Sequence, residues 1–235
     1  FMDKNVRIGR QEITFALSKI SPIIITYIIV GISFGILAYD AGLSLMWTFL
    51  SSVFVYAGSA QITLVALLKS GVPLGVIFIM GLALAGRFAF YGLSLQERYK
   101  AVGRLYPYLI FGLTDEAYSV MVSIDYPDNV NINGTNVFIT LAIHITWVLG
   151  SVLGHVFGQS IGLSIEGLDF MLTAFFITVV IGKWQAGYKF SVISSLAASF
   201  VCILAFGRDR FIIPAIILSI IFILIQGRLK GGSHE

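Results

Sequence analysis

Charged residues are scarce in this chain, and their scarcity excludes a soluble globular protein. Asp, Glu, Lys and Arg make up 11% of the 235 residues, while hydrophobic residues make up 57%. A soluble domain carries about 25% charged residues, so we expect a lipid bilayer to surround this chain. The net charge of +3 does not predict nucleic-acid binding, because the cations lie in short clusters at the ends of apolar segments.

Cysteine and two common functional motifs are also rare or missing. Cys202 is the single cysteine, which excludes a disulfide framework and a cysteine metal cluster. The sequence contains no Gly-x-x-x-x-Gly-Lys-Ser/Thr phosphate loop and no His-Glu-x-x-His zinc motif. We therefore expect no ATPase site, no metal and no cofactor, and we do not expect an enzyme.

Apolar segments dominate what is present. A helix needs about 20 residues to cross about 30 Å of hydrocarbon, and these segments lack the strict alternation of a membrane β-barrel. The sequence therefore predicts an all-α integral membrane protein, a polytopic bundle of about seven or eight membrane segments that forms a single domain over residues 1–235. The segments are 13–38, 44–68, 73–96, 105–124, 135–158, 167–182, 188–206 and 211–227.

Two of these segments are interrupted at membrane depth. In the second, Gly58 weakens the helix, and hydrogen-bonding side chains that hydrocarbon cannot satisfy surround it. In the fourth, Gly112 precedes Thr114, which we expect to cap a half-helix. Loosened polar backbone is tolerated in a membrane only inside protein or beside water. The breaks therefore predict the functional region, which in the second segment comprises Tyr56, Gly58, Ser59 and Gln61.

A glycine pattern predicts an internal repeat. Gly31-x-x-x-Gly35 resembles Gly150-x-x-x-Gly154, at an offset of 119 residues. Glycines at this spacing share one helix face and let backbones approach closely. We predict repeat halves over residues 13–104 and 133–227, joined by a linking segment over residues 105–132.

The charges predict a topology. Cations near the start, at Lys4, Arg7 and Arg10, place the N-terminus in the cytoplasm, and the basic loop 97–104 belongs on the same side. This requires one re-entrant element between residues 44 and 96, for which the break at Gly58 is the natural place. The acidic loop 125–132 is then expected outside, and the fifth segment is expected to run opposite to the first, which makes the repeat inverted.

Three charged residues lie inside apolar segments. Arg87 lies deep in the third segment, where an arginine costs roughly 2.5–3.5 kcal/mol unless it is paired or faces water. Arg87 therefore has either a functional role or a structural role in an ion pair. Asp115 and Glu116 follow Thr114, so one could pair with Arg87 while the other takes up and releases a proton. A solvated turn at the membrane surface is the alternative for these two carboxylates.

A histidine and a tryptophan lie one turn apart in the fifth segment. His144 and Trp147 share a helix face. Histidines without nearby acidic ligands are weak indications of a metal site, so we expect a packing or gating role for both residues.

Several of these pieces, in this order, resemble the AzlC family. They are Phe34-Gly35, Gly42-Leu43-Ser44, Ala57-Gly58-Ser59-Ala60-Gln61, Arg87 with Tyr91-Gly92-Leu93-Ser94-Leu95, Thr114-Asp115-Glu116, Trp147 with Gly150 and Gly154, and Leu168-Asp169-Phe170 with Gln185. The resemblance implies a bacterial inner-membrane exporter of branched-chain amino acids that works with a small four-helix membrane subunit, AzlD. One departure is that Ala85-Gly86 and Phe88 flank the membrane arginine, where the family usually has asparagine and histidine.

We therefore expect a secondary transporter that exports hydrophobic amino acids, driven by the proton motive force. The substrate-binding residues would be Tyr56, Gly58, Ser59, Gln61 and Arg87, and the proton-coupling residues Asp115 and Glu116. The alternative is a passive channel for a small polar solute, since paired half-helices also build channels. An oligomer is left open by the sequence.

Overall fold

The computed structural model describes residues 6–69, 71–161 and 189–207, together with 177, 180, 181, 184, 187, 211, 214, 215, 217–219, 221 and 222. Every regular element in this described part is helical, which confirms the predicted helical membrane fold. The helices are α1 (Arg10–Asp40), α2 (Leu45–Phe54), α3 (Gly58–Lys69), α4 (Leu74–Lys100), α5 (Tyr106–Phe111), α6 (Asp115–Ser123), α7 (Ile132–Ile161) and α8 (Lys189–Phe206), with a 3₁₀ turn at Gly103–Leu105.

Four of these helices are long and apolar enough to cross a membrane. They are α1, α4, α7 and α8, of 31, 27, 30 and 18 residues. At 1.5 Å per residue, the 31 residues of α1 extend about 46 Å, well beyond the hydrocarbon thickness. By contrast, α2 and α3 have 10 and 12 residues, and α5 and α6 have 6 and 9. Each member of these two pairs is therefore a half-length helix.

Helices α1 and α7 pack with their backbones in contact, as the glycine spacing predicted. A Cβ atom added to Gly31 would lie 3.1 Å from the Cα of Gly150, and one added to Gly154 would lie 2.6 Å from the carbonyl carbon of Ile32. Side chains larger than hydrogen would therefore separate the two helices. Glycine is required at these positions by this close approach.

The same contacts show that α1 and α7 run parallel. Near their N-termini the Asn131 backbone N–H donates to Glu12 at 3.0 Å, and near their C-terminal ends Gly158 faces Tyr39. The predicted opposite direction of the first and fifth segments, and with it an inverted relation between them, is therefore wrong.

The α2–α3 pair forms a re-entrant hairpin, which confirms the re-entrant element predicted at this break. The hairpin enters at the C-terminal end of α1, where Ser44 caps α2 through the Trp47 backbone N–H. It turns at residues 55–57 and returns to the same end, where Lys69 forms an ion pair with Asp40. Helix α4 then runs back towards the end where α1 begins.

The α5–α6 pair forms a second re-entrant hairpin, which enters from the opposite end. Its tip at residues 112–114 reaches the middle of α7, where Gly112 packs on Thr140. Its final turn lies at the end of α4, where Arg98 donates to the Met121 carbonyl at 2.9 Å. Beyond the hairpin, Tyr126 packs on Phe15 near the start of α1, with ring centroids 6.0 Å apart.

This second hairpin corrects the predicted topology. The acidic loop 125–132 was expected on the side opposite to the N-terminus, because residues 105–124 are long enough to cross. The break at Gly112 turns that segment back, so the acidic loop, the basic loop 97–104 and the start of α1 all lie at one end of the bundle.

The chain divides into two compact units, Phe1–Asp169 and Phe170–Glu235. All helices from α1 to α7 belong to the first, and α8 belongs to the second. Most of the sixth and eighth apolar segments lies outside the described residues, as does Gln185 of the family resemblance. The single membrane domain and the halves 13–104 and 133–227 therefore stay predictions.

We expect cysteine labelling to place residues 100 and 128 on one side of the membrane. In a Cys202→Ser background, a membrane-impermeant thiol reagent should reach Lys100→Cys and Asp128→Cys from the same side and Val72→Cys from the other. This labelling pattern is expected because each hairpin returns to the end of the bundle from which it enters. Labelling of positions 100 and 128 from opposite sides would contradict the second re-entrant hairpin.

We expect Gly35→Ala to destabilise the bundle. Its added Cβ would lie 2.5 Å from the His155 backbone nitrogen and 2.9 Å from the Gly154 carbonyl carbon, and overpacking costs about 1–3 kcal/mol. Gly86→Ala is the matched control, since no atom lies within 4 Å of its added Cβ. The thermal unfolding midpoint in detergent should fall for Gly35→Ala only. Equal midpoints for the two variants would show that the α1–α7 contact is not tight.

Candidate functional site

The tips of the two hairpins meet beside the middle of α7. The Tyr56 ring in the first tip lies 4.1 Å from the His144 ring of α7 and 6.1 Å from the Phe111 ring in the second tip, measured between centroids. Helices α3 and α6 both begin here. Their N-terminal N–H groups and the positive ends of their dipoles are therefore directed towards one region.

The first tip holds a strained backbone conformation. Tyr56 has a φ of 42°, and it is the one residue other than glycine with a positive φ in the described part of the chain. Such a conformation costs of order 1–3 kcal/mol and persists only where the surroundings fix it. The turn separates α2 from α3 and leaves Gly58 as the first residue of α3, so the predicted break lies two residues earlier than the glycine itself.

Gln61 fixes this tip. Its side-chain oxygen accepts hydrogen bonds from the Ala57 backbone N–H and from the Trp147 indole, both at 3.1 Å. Its amide nitrogen donates to the Ser51 hydroxyl at 3.4 Å. Gln61 is buried, and these bonds join the end of α2, the start of α3 and α7. The structure therefore places Gln61 in a supporting position behind the tip.

Trp147 packs behind the same tip. It is 2% exposed, its ring stacks on Phe34 with centroids 5.8 Å apart, and it meets Tyr27 edge-on at the same distance. A Cβ added to Gly58 would lie 3.5 Å from its indole. The predicted packing role fits this position, since the indole fills the space between α1, α3 and α7.

The second tip is capped as the sequence predicted. The Thr114 hydroxyl accepts a hydrogen bond from the Ala117 backbone N–H at 3.3 Å, and Asp115 and Glu116 form the first turn of α6. Carboxylates at this position are stabilised by the helix dipole. The alternative, a solvated turn at the membrane surface, does not fit, because this tip packs on the centre of α7.

Arg87 lies between the two helix N-termini. Its Nη2 donates to the Ser59 hydroxyl in the first turn of α3 at 2.6 Å and lies 3.2 Å from Asp115 Oδ2 at the start of α6. The predicted pairing of a carboxylate with Arg87 is therefore confirmed, and the partner is Asp115. Tyr91 donates to the other Asp115 oxygen at 2.6 Å.

The two neighbouring carboxylates differ in their surroundings. Both oxygens of Asp115 are engaged, one by Arg87 and one by Tyr91. Glu116 is exposed and accepts a hydrogen bond from the Tyr27 hydroxyl at 2.5 Å. Asp115 is thus held in an ion pair, while Glu116 is exposed and is bound by the Tyr27 hydroxyl alone among the described side chains.

His144 and Tyr56 carry buried polar atoms that are only weakly satisfied. His144 Nδ1 lies 3.2 Å from the Tyr108 hydroxyl. The buried Nε2 of His144 and the buried Tyr56 hydroxyl make no hydrogen bond of good geometry among the described residues, although the Ser52 and Val53 backbone lies near the first ring and the Thr114 side chain near the second. The two rings lie against each other, tilted by 32°, where the tips meet, so they add donors and acceptors to the site.

Sequence reasoning missed the tyrosines that orient the carboxylates. Tyr27 lies near the middle of the first apolar segment and Tyr91 lies in the third, where it was named only as part of the family resemblance. Buried tyrosine hydroxyls usually find partners, so a tyrosine inside an apolar segment was the available signal. Within the described residues, no three His, Cys, Asp or Glu side chains come together as a metal site.

The arrangement suits a zwitterionic ligand. Arginine, hydroxyl groups and two helix N-termini attract a carboxylate, whereas two carboxylates attract an ammonium group. Both sets lie within one region of the described structure, with aromatic and aliphatic side chains around them.

Comparisons with known proteins agree with the membrane fold. A model of the AzlC protein family matches residues 22–161. The branched-chain amino acid transport protein AzlC of Bacillus subtilis (strain 168) is 33% identical over 198 residues, which cover 83% of this chain and 78% of that protein. The inner membrane protein YgaZ of Escherichia coli (strain K12) is 27% identical over 227 residues, which cover 91% of this chain and 90% of that protein.

An uncharacterized membrane protein of Haemophilus influenzae is 31% identical over 199 residues, which cover 83% of this chain and 81% of that protein. No solved structure matches the chain significantly. The matched family region, residues 22–161, contains both hairpins and most of α1 and α7. The family model therefore covers the part of the chain that builds the site.

We expect Gln61→Leu to lower the stability of the ligand-free protein. The change removes three hydrogen bonds and leaves the Ala57 N–H and the Trp147 indole unsatisfied, at a cost of about 1–3 kcal/mol for each buried group. Thr63→Val is the control, because the Thr63 hydroxyl bonds only the Ser59 carbonyl of its own helix. Thermal unfolding in detergent without added amino acid would measure the difference, and an unchanged midpoint for Gln61→Leu would refute the supporting position.

Proposed function

The chain belongs to the AzlC protein family, and on this premise we propose that it is a secondary transporter of hydrophobic, branched-chain amino acids. The Bacillus subtilis relative, whose name states branched-chain amino acid transport, supports the substrate class. The observation that carries the proposal is the convergence of two half-helix N-termini on Arg87 in the middle of the bundle. Secondary transporters commonly bind anionic substrate groups at such interrupted helices.

The substrate carboxylate is proposed to bind at the first tip. Ser59 and the start of α3, the Tyr56 hydroxyl and Arg87 supply hydrogen-bond donors there. The ammonium group is proposed to face the carboxylates at the start of α6. Apolar side chains around the tips would accept the hydrocarbon part, at about 0.8 kcal/mol per buried methylene, so leucine, isoleucine and valine should be distinguished only weakly.

Export driven by the proton motive force is the direction and energy source that we propose. Glu116 is the better candidate for proton coupling of the two predicted carboxylates, because it is exposed, whereas Asp115 is held by Arg87 and Tyr91. Titratable residues inside membrane helices commonly mark proton pathways.

The setting of the transporter is also a proposal. The chain lies in a membrane, and the bacterial inner membrane with a cytoplasmic N-terminus is supported by the cations at Arg7, Arg10, Arg98 and Lys100, which lie at one end of the bundle. A small AzlD-like four-helix subunit is the proposed partner. Both are consistent with the resemblance of the sequence to bacterial exporters.

A passive channel is the second candidate, and one observation favours it. Two hairpins that enter from opposite ends and meet at the middle are also a way to build a pore. A channel conducts without saturation and without counter-transport, whereas a transporter saturates and exchanges substrate across the membrane. Kinetics in vesicles therefore separate the two functions.

We expect saturable leucine efflux from proteoliposomes that contain the chain together with its small partner subunit. A proton gradient that drives protons in the direction opposite to leucine efflux should accelerate this efflux by the wild-type protein. Glu116→Gln should lose this acceleration but keep exchange of leucine for leucine, because exchange needs no net proton movement. The measurement is the release of labelled leucine with and without the gradient.

Glu97→Gln is the matched control, since Glu97 is an exposed carboxylate that pairs with Lys100 near the end of α4. It should behave as the wild type does. Absence of efflux for leucine, isoleucine and valine would end the proposal of an amino acid transporter. Full acceleration by the gradient in Glu116→Gln would remove Glu116 from proton coupling while leaving transport intact.

A further inference from the structure

The Arg87–Asp115 ion pair leaves part of the guanidinium unused. Only Nη2 contacts the carboxylate, at 3.2 Å, and the same nitrogen also donates to Ser59. Arg87 Nε is buried and has no hydrogen-bond partner among the described residues. Arginine binds a carboxylate best through two parallel hydrogen bonds. The observed contact is therefore weaker than the one that a freely placed carboxylate would make.

Asp115 does not depend on Arg87 alone. Its other oxygen accepts a hydrogen bond from Tyr91 at 2.6 Å, and as the first residue of α6 it lies at the positive end of that helix dipole. The carboxylate thus keeps two stabilising interactions when the arginine moves away. The Arg87 and Asp115 side chains are 32% and 25% exposed, so both groups remain accessible to a ligand.

The pair also connects the two hairpins. Arg87 of α4 bonds Ser59 in the first hairpin and Asp115 in the second. Opening the pair therefore removes a polar link between elements that enter the bundle from opposite ends. A ligand that opens it acts on the point where the two hairpins meet.

We propose that an α-amino acid binds by inserting its zwitterion between Arg87 and Asp115. The inference rests on the proposed function and specifies how the substrate is recognised. The substrate carboxylate takes the arginine, including the unused Nε, and the substrate ammonium group takes Asp115. Each charge exchanges one opposite partner for another, so no ion is left unpaired at membrane depth.

This exchange makes the site selective for zwitterions. A 2-oxo acid offers a carboxylate to Arg87 but nothing to Asp115, and an amine offers the reverse. In both cases the ion pair is broken and one of the two groups loses its oppositely charged partner without gaining another, which lowers the affinity for the ligand. An amino acid, the 2-oxo acid and the amine that correspond to it carry the same branched hydrocarbon group, so apolar contacts do not contribute to the discrimination.

The test compares leucine, 4-methyl-2-oxopentanoate and 3-methylbutylamine as ligands of the chain purified together with its small partner subunit. Binding measured by calorimetry should be at least about thirtyfold weaker for the two single-charge analogues than for leucine in the wild type. Asp115→Asn should reverse part of this order, because Arg87 is then unpaired and accepts the oxo acid. Arg87→Gln should improve binding of the amine, because Asp115 is then unpaired and accepts the ammonium group.

Asp40→Asn is the control, since it removes an ion pair with Lys69 at the end of the bundle and far from the tips. It should keep the wild-type order of ligands. Equal wild-type affinity for leucine and the oxo acid would overturn the inserted zwitterion, and this comparison requires no variant to fold. An unchanged order in Asp115→Asn would overturn it too. Failure of the wild type to bind leucine, isoleucine or valine would instead refute the proposed function.

Discussion

The backbone contact between α1 and α7 supports the rest of the bundle. Gly31 and Gly35 on one helix and Gly150 and Gly154 on the other bring the chains together without intervening side chains. The two helices form one parallel pair, and α7 carries residues that receive both hairpins. Trp147 and His155 contact the first hairpin, and Thr140 contacts the second. In lipid, where apolar side chains gain little from meeting one another, such close packing is a main source of helix association.

The sequence predicted the breaks better than the path of the chain. Small and polar residues around Gly58 and the Thr114 cap are local signals, and both half-helices begin where those signals place them. The side on which the acidic loop lies was wrong, because a segment of 20 apolar residues reads the same whether it crosses or turns back. The basic loop 97–104 indicated one return, and no charge in the sequence indicated the second.

The partners of the site residues were harder to predict than the residues themselves. Arg87 and Asp115 are conspicuous, because ions are costly in hydrocarbon. Gln61 was expected to face a ligand, yet its amide is occupied by Ser51, Ala57 and Trp147. Which polar group supports a tip and which one remains available depends on contacts 86 residues apart in the chain. No local pattern encodes such contacts, and Tyr27 and Tyr91 were missed for the same reason.

The hydrogen bond between Trp147 and Gln61 has a consequence for biosynthesis. The two residues are 86 positions apart, and a chain grows at about 5–20 residues per second, so the first hairpin waits roughly 4–17 seconds for its anchor. During that interval α2 and α3 are too short to cross the membrane and have polar groups at their tip without final partners. The first hairpin is therefore synthesised early but acquires its final partner late, when Trp147 of α7 becomes available.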